Sequence, residues 1–305
     1  MNQGQFRGVP ARVSRSFAAT GALVLSLASL GCQGSNGSDS GDTGFVEPLS
    51  PMGNLLIEEV YYSGAVPAAG IDRYYSDQFI EIENIADAPV MIGGLILGDA
   101  PGISGAINPG SEPETRFVAD PEFVYLTTAW RIPGEPEEVL LQPGETIVIA
   151  QDASTHNPYS PVDLFEADYE TFVAEYENDV DNAGVTDLES LWYGSGYDWL
   201  VTVFGPTIVI LDMDGEDLKK AGGKNGPVKA PVSAVVDTME ALMDADSGAF
   251  KRLHDSVDSG FTYVSGTYVG ESVRRRRDDS GRLIDTNDSG ADFEVLTMPE
   301  PDLGL

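Results

Sequence analysis

Gln78-Phe79-Ile80-Glu81-Ile82-Glu83-Asn84 decides how the rest of the chain is read. Ile80 and Ile82 fall on one side of an extended chain, and Glu81 and Glu83 on the other. That period of two marks a strand. Upstream, Leu55-Leu56-Ile57-Glu58-Glu59-Val60-Tyr61-Tyr62 reads as the first strand. Downstream, after a turn at Asp87-Ala88-Pro89, residues 90–99 read as another. Further strands are predicted at 123–127, 145–150, 207–212, 261–264, 272–276 and 292–296. Gly and Pro clusters such as Gln142-Pro143-Gly144 punctuate them, as turns require. Many short strands with such turns predict an all-β antiparallel sandwich or barrel. Helical patterning is rare, with one or two short helices expected. Residues 237–244 predict one, capped by Asp237. The acidic and aromatic residues 165–176 predict a helix or a long loop. Residues 152–200 read as a long mixed insertion between core strands, and a loop of that length is functional or locally structured.

The start of the chain sets the compartment. Arg7, Arg12 and Arg15 precede a short apolar run over residues 16–31, and Ser29-Leu30-Gly31-Cys32 closes it. A charged stretch, an apolar stretch and a small residue before the cut make a signal peptide over residues 1–31. The run is too short and interrupted for a membrane span, which needs about 20 apolar residues. Ser29-Leu30-Gly31-Cys32 resembles a lipobox, with its Leu displaced by one position. Cys32 is the only cysteine, so it has no disulfide partner and is expected to carry the lipid. Residues 32–52, rich in Gly, Ser and Asp, are then a tether. Gln33 rather than Asp follows the cysteine. By resemblance to lipoprotein sorting in Gram-negative bacteria, that points to the outer membrane or cell surface. The membrane partner is thus reached through a lipid anchor.

Charge excludes one class of partner. The 305 residues hold 17 basic and 50 acidic side chains. Residues 1–31 remove three Arg and no acid, so the processed chain carries a charge near −36. That surface repels phosphates, so no nucleic-acid partner is expected.

The search for chemistry is mostly negative. His156 and His254 are the only histidines, and neither lies in a His-Glu-x-x-His pattern. No Gly-x-Ser-x-Gly occurs, and Gly222-Gly223-Lys224-Asn225 lacks the rest of a phosphate loop. No catalytic residue is assigned and no enzyme is expected. Calcium is the one cofactor the patterns admit. Asp285, Asn287, Ser289 and Gly290 match the first half of a calcium loop. Position twelve, however, is Leu296, and a plain Asp/Asn/Ser turn accounts for the same residues. Asp179, Asp181 and Gly184 make a poorer version, with Glu189 one short of position twelve. Trp192, Tyr193, Tyr197 and Trp199 flank a Gly-Ser-Gly turn. They are candidate ligand-binding residues for a glycan or protein, or else they pin the insertion to the core. Arg274-Arg275-Arg276-Arg277 alternates faces on a strand and makes no single basic patch.

Three stretches together resemble the opening of a lamin tail domain: residues 56–62, residues 77–84 and Gly94-Leu95-Ile96-Leu97-Gly98-Asp99. Residues 270–275 and 285–293 resemble that family's last strand pair. A group of bacterial surface lipoproteins is more similar still, with counterparts to residues 141–153, 160–164 and 259–264. The resemblance spans about residues 53–297, so the domain is drawn over 53–298. It implies an immunoglobulin-like sandwich at the cell surface and no known catalytic residues. The chain departs from the lamin tail in lacking a tryptophan near Leu95 and in its 152–200 insertion. The expected function is a lipid-anchored, non-catalytic module for binding or adhesion to a protein or glycan. The rival is an exported hydrolase, or its accessory subunit, working through acidic residues.

Overall fold

The computed structural model describes residues 46–107, 111–176, 179–193 and 201–304. Its strands are β1 (Leu55–Tyr61), β2 (Phe79–Asn84), β3 (Val90–Met91), β4 (Ile96–Asp99), β5 (Phe123–Leu126), β6 (Thr128–Arg131), β7 (Leu140–Leu141), β8 (Thr146–Ala150), β9 (Tyr169–Glu170), β10 (Thr186–Asp187), β11 (Glu189–Tyr193), β12 (Thr207–Leu211), β13 (Lys219–Lys220), β14 (Val228–Pro231), β15 (Val235–Glu240), β16 (Ser272–Arg275) and β17 (Phe293–Leu296). Two four-residue helices accompany them among the described residues, α1 (Thr115–Val118) and α2 (Ser289–Asp292). The protein is all-β. One sheet runs β10-β9-β8-β2-β1-β16-β17 and a second runs β11-β6-β4-β12-β15. Smaller sheets are β13-β14-β5 and β3-β7. Among the described residues, no helix is long and apolar enough to cross a membrane.

Alternation builds the main core. Ile57, Ile80, Ile82, Ile147 and Ile149 of the large sheet meet Leu97, Trp130, Ile208, Ile210 and Met239 of the five-stranded sheet in one buried cluster. The five-stranded sheet is covered on its other face too. There Ile96, Val209 and Leu211 meet Val124, Leu126 and Val228 of the small sheet. A strand buried on both faces needs apolar residues at every position, which explains the unbroken Ile208-Val209-Ile210-Leu211.

Several expectations are corrected. Residues 237–244 do not form a helix: residues 235–240 are strand β15, paired with β12 in the register Thr238↔Val209. Asp237 is no helix cap. Its carboxylate is buried, accepts the Ile57 N–H at 2.7 Å and pairs with the Arg275 guanidinium at 2.7 Å. Burial pushes that carboxyl up to about 6 although Arg275 pulls it down. Residues 261–264 form no strand, only a bridge between Thr262 and Ala241. Of the two readings of residues 165–176, the long loop holds and the helix does not: they are turns and the two-residue strand β9. The stretch 90–99 splits into β3 and β4 at Gly93-Gly94, where Gly94 takes φ +81°. A Cβ on Gly93 would lie 2.3 Å from the Glu135 carbonyl oxygen, so only glycine lets the chain pass there. Pairing is antiparallel throughout both large sheets except at the insertion edge, where β8–β9 and β9–β10 run parallel. Leu49, inside the stretch read as tether, bridges Val90.

The outer face of the large sheet carries an unusual charge arrangement. The β1–β2 register shifts between Ile57 and Glu59, and the bulge brings Glu58 and Glu59 beside Glu81 and Glu83. The chain end lies over them. The Glu300 N–H donates to Glu59 at 3.1 Å, Thr146 Oγ1 donates to the Asp302 carbonyl, and Leu303 packs on the apolar part of that face. Arg274 bridges Glu59 and Glu300, and Arg277 bridges Glu58 and Glu83. Glu81 is 1% exposed and forms no ion pair with these arginines. Burial first, and then Glu58 and Glu59, push its carboxyl up to about 8.

Candidate functional site in the insertion

The stretch read in the sequence as an insertion joins the two sheets. β9 extends the large sheet beside β8, in the register Ile149↔Tyr169 and Ala150↔Glu170, and β10 follows it. The single buried residue Leu188 then leads into β11, which pairs with β6 of the other sheet. The insertion therefore closes one side of the shared core. Ala153, Val162, Leu164 and Ala167 also cover Tyr61, Phe79 and Val148 on the outer face.

Two groups of side chains stand out on this frame. The first is acidic. Tyr169 points into the core, so Glu170 points out of it. Its carboxylate accepts the Ala153 N–H at 2.8 Å and the Asn182 N–H at 2.7 Å. Carboxylate oxygens of Glu170, Asp181 and Asp187 all lie within 4.8 Å of one another. Nearby, Asp179 accepts the Val173 N–H at 2.6 Å. Burial raises the Glu170, Asp179 and Asp187 carboxyls, and Asp181 raises each further. Such oxygens suit a hard cation. Asp179 and Asp181 of the poorer sequence pattern thus fall in this group, but Glu189 is turned to Arg131, whose Nε donates to it at 2.8 Å.

The second group surrounds a cavity of about 470 Å³ lined by residues 155–163. A bridge between Thr155 and Asp163 closes the neck of that loop. His156 and Ser160 are buried, whereas Tyr159 is 40% exposed. The His156 Nδ1 shares a 2.8 Å hydrogen bond with the Tyr74 hydroxyl. Its Nε2 is buried and makes no hydrogen bond of normal geometry, although the Asp152 carbonyl lies near the ring. Burial pulls the imidazole down to about 4, against the Asp152 carbonyl and the Asp163 carboxylate, so the ring is neutral at pH 7. Tyr74 also packs on Tyr159, with ring centroids 5.4 Å apart. Beneath, Tyr61 donates to Asp77 at 2.9 Å, and burial pushes Asp77 up to about 6.

The residues singled out in the sequence are not gathered in one place. Trp192 is half-buried, with the Lys220 ammonium 4.5 Å from its ring centre. Tyr193 is half-buried edge-on to Trp130. Both rings pack on the sandwich flanks. Tyr197, Trp199 and Cys32 lie outside the described residues, as does the predicted signal peptide. Asp285 accepts the Asn287 N–H at 3.2 Å and lies 3.5 Å from Arg275. The Ser289 hydroxyl donates to Asp258 and accepts the Glu240 N–H at 2.9 Å. Asp288 caps α2 through the Gly290 and Ala291 N–H groups. His156 lies in a loop and in no sequence motif. Its hydrogen-bond partner Tyr74 is 82 positions away, and no local signal announces that contact.

The architecture is that of an all-β protein with two sheets on a common core and strands β9, β10 and β11 at their edges. The family model described as "Protein of unknown function (DUF4876)" matches residues 142–300, just over half of the chain and all of residues 152–200. The chain belongs to the DUF4876 family. A solved structure is similar along most of its length: the crystal structure, at 2.50 Å resolution, of a DUF4876 family protein from Bacteroides thetaiotaomicron VPI-5482. The two are 28% identical, with a TM-score of 0.68, covering 83% of this chain and 76% of that one. No curated protein matches.

Proposed function

We propose that this chain is a lipid-anchored cell-surface protein, an immunoglobulin-like (lamin-tail-like) sandwich that binds a protein or glycan partner without catalysis. One observation carries the non-catalytic reading. Hydrolysis by paired carboxylates needs acids that converge on a substrate-sized space. Here the space and the acids are apart. The 470 Å³ cavity is lined by one carboxylate, Asp163. Glu81, whose carboxyl burial pushes up to about 8, lies under the chain end. The anchor rests on the sequence alone, through the lipobox-like stretch ending at Cys32. A cavity and an acidic group on an insertion held by both sheets suit a presented binding element.

Calcium is the only cofactor in this reading. The Asp285 carboxylate faces the Arg275 guanidinium, which competes with a cation, and the Ser289 hydroxyl is held between Asp258 and the Glu240 N–H. That leaves Glu170, Asp181 and Asp187 better placed for a cation than the 285–289 turn.

Membrane fractionation tests the anchor. Wild type is expected with the membranes and Cys32→Ser in the soluble exported fraction, while globomycin makes the uncut wild-type precursor accumulate. Wild type recovered wholly soluble removes the anchor. Release of reducing ends from a glycan by the purified chain removes the non-catalytic reading.

A further inference from the structure

The 155–163 loop has features that its structural role does not require. Its neck is closed by the Thr155–Asp163 bridge, and the His156 carbonyl accepts the N–H groups of Tyr159 and Ser160 at 2.9 and 3.1 Å. Tyr159 is held in the open by the Tyr74 ring. An exposed tyrosine fixed by a second aromatic ring contributes little to the core and offers a ready-made flat apolar surface. The cavity is of a size usual for small-ligand sites. Its wall alternates apolar Pro158, Pro161 and Val162 with hydroxyl, carboxamide and carboxylate groups. No lysine or arginine is among the nine lining residues. Phosphate, sulfate and carboxylate ligands are recognised through such cations, and the chain's charge repels them further. A buried polar atom without a hydrogen bond of normal geometry is costly, and the His156 Nε2 is one.

We infer that the loop of residues 155–163 is a carbohydrate subsite that takes an uncharged sugar ring, stacked on Tyr159 and hydrogen-bonded by Asn157 and Asp163. The inference rests on the binding-module reading and names the partner's chemistry and where it is held. A pyranose presents one face of C–H groups and a rim of hydroxyls. The first suits a tyrosine ring and the second suits amide and carboxylate oxygens. A sugar hydroxyl reaching inward would also pair the His156 nitrogen, which is neutral and can accept or donate there.

The test uses the full exported chain and three neutral probes: mannohexaose, xylohexaose and maltohexaose, with a heparin hexasaccharide as the anionic control. Binding is followed by calorimetry and by saturation transfer from the protein to sugar protons. At least one neutral probe is expected to bind, and heparin is not. Tyr159→Ala and Asn157→Ala should each weaken binding tenfold or more, with Tyr159→Phe close to wild type. Both variants are at exposed positions, so an unchanged melting temperature shows that the fold is kept. Failure of all three neutral probes at 10 mM, or preference for heparin, overturns the inference. If Trp192→Ala abolishes binding and Tyr159→Ala does not, the binding-module reading stands and this subsite falls. Reducing-end release from a bound probe would instead bring down the non-catalytic reading and leave the subsite in place.

Discussion

Replacing Glu81 by glutamine isolates a buried proton. The side chain keeps its shape and an oxygen for the Asp302 backbone N–H, but it loses the ability to ionise. In the folded chain the Glu81 carboxyl is pushed from its ordinary 4.5 up to about 8. The folded state therefore binds this proton more tightly than the unfolded state. The resulting stability is fully present below about 4.5 and is lost as pH rises through about 8. At 1.36 kcal/mol per pH unit, that span sets a ceiling near 5 kcal/mol. Relaxation and water penetration lower the penalty of a buried charge well below such a ceiling, so about half of it, roughly 2–3 kcal/mol, is the expected effect. Urea unfolding of wild type and Glu81→Gln at pH 5, 7 and 9 reads it directly. The two should be nearly equal at pH 5, and the glutamine variant more stable at pH 9 by about that amount. The remaining carboxylates titrate in both proteins and largely cancel in the difference. A difference that does not change with pH refutes the argument, because an ionised and hydrated Glu81 would give that result. Removing residues 298–305 should also flatten the wild-type profile, since it uncovers the same carboxyl.

Other expected outcomes concern the buried pair and the calcium-like turn. Asp237→Ala leaves the Arg275 guanidinium, 1% exposed, without its closest anion and the Ile57 N–H without an acceptor. A loss of about 3–5 kcal/mol in chemical unfolding is expected, and a loss under 1 kcal/mol would contradict the pairing. Asp285→Ala should leave any calcium-dependent rise in melting temperature intact relative to ionic-strength-matched sodium, since its carboxylate already faces Arg275. Loss of a calcium-only rise in that variant would restore the 285–289 turn as a metal site. Asp181→Asn relieves repulsion with Glu170 and Asp187 and should stabilise the calcium-free chain by up to about 1 kcal/mol; destabilisation there would mean that the carboxylate is needed as a hydrogen-bond acceptor.

Local pattern carried a large part of the fold. A strand's period of two depends only on neighbouring residues, so β1, β2, β8, β12, β16 and β17 were legible within a residue or two of their ends. The same logic failed at residues 237–244. Asp237 followed by a mixed apolar and acidic stretch looks like a capped helix in isolation. Its strand state comes from β12 beside it and from Ile57 and Arg275, 180 and 38 positions away. The two faces of residues 78–84 were also readable. That the acidic face would be covered was not, because the cover is the chain end, more than 200 residues further on.

By itself the sequence determined the all-β class, the acidic surface and the single cysteine, because each depends on composition or on short-range periodicity. Tertiary structure decided which side chains meet. It brought Asp181 to Glu170 and Asp187, closed residues 155–163 around a cavity with His156 against Tyr74, and buried Glu81 among like charges. Those contacts join residues far apart in the chain, and their energies depend on burial and mutual distance, neither of which a one-dimensional pattern contains.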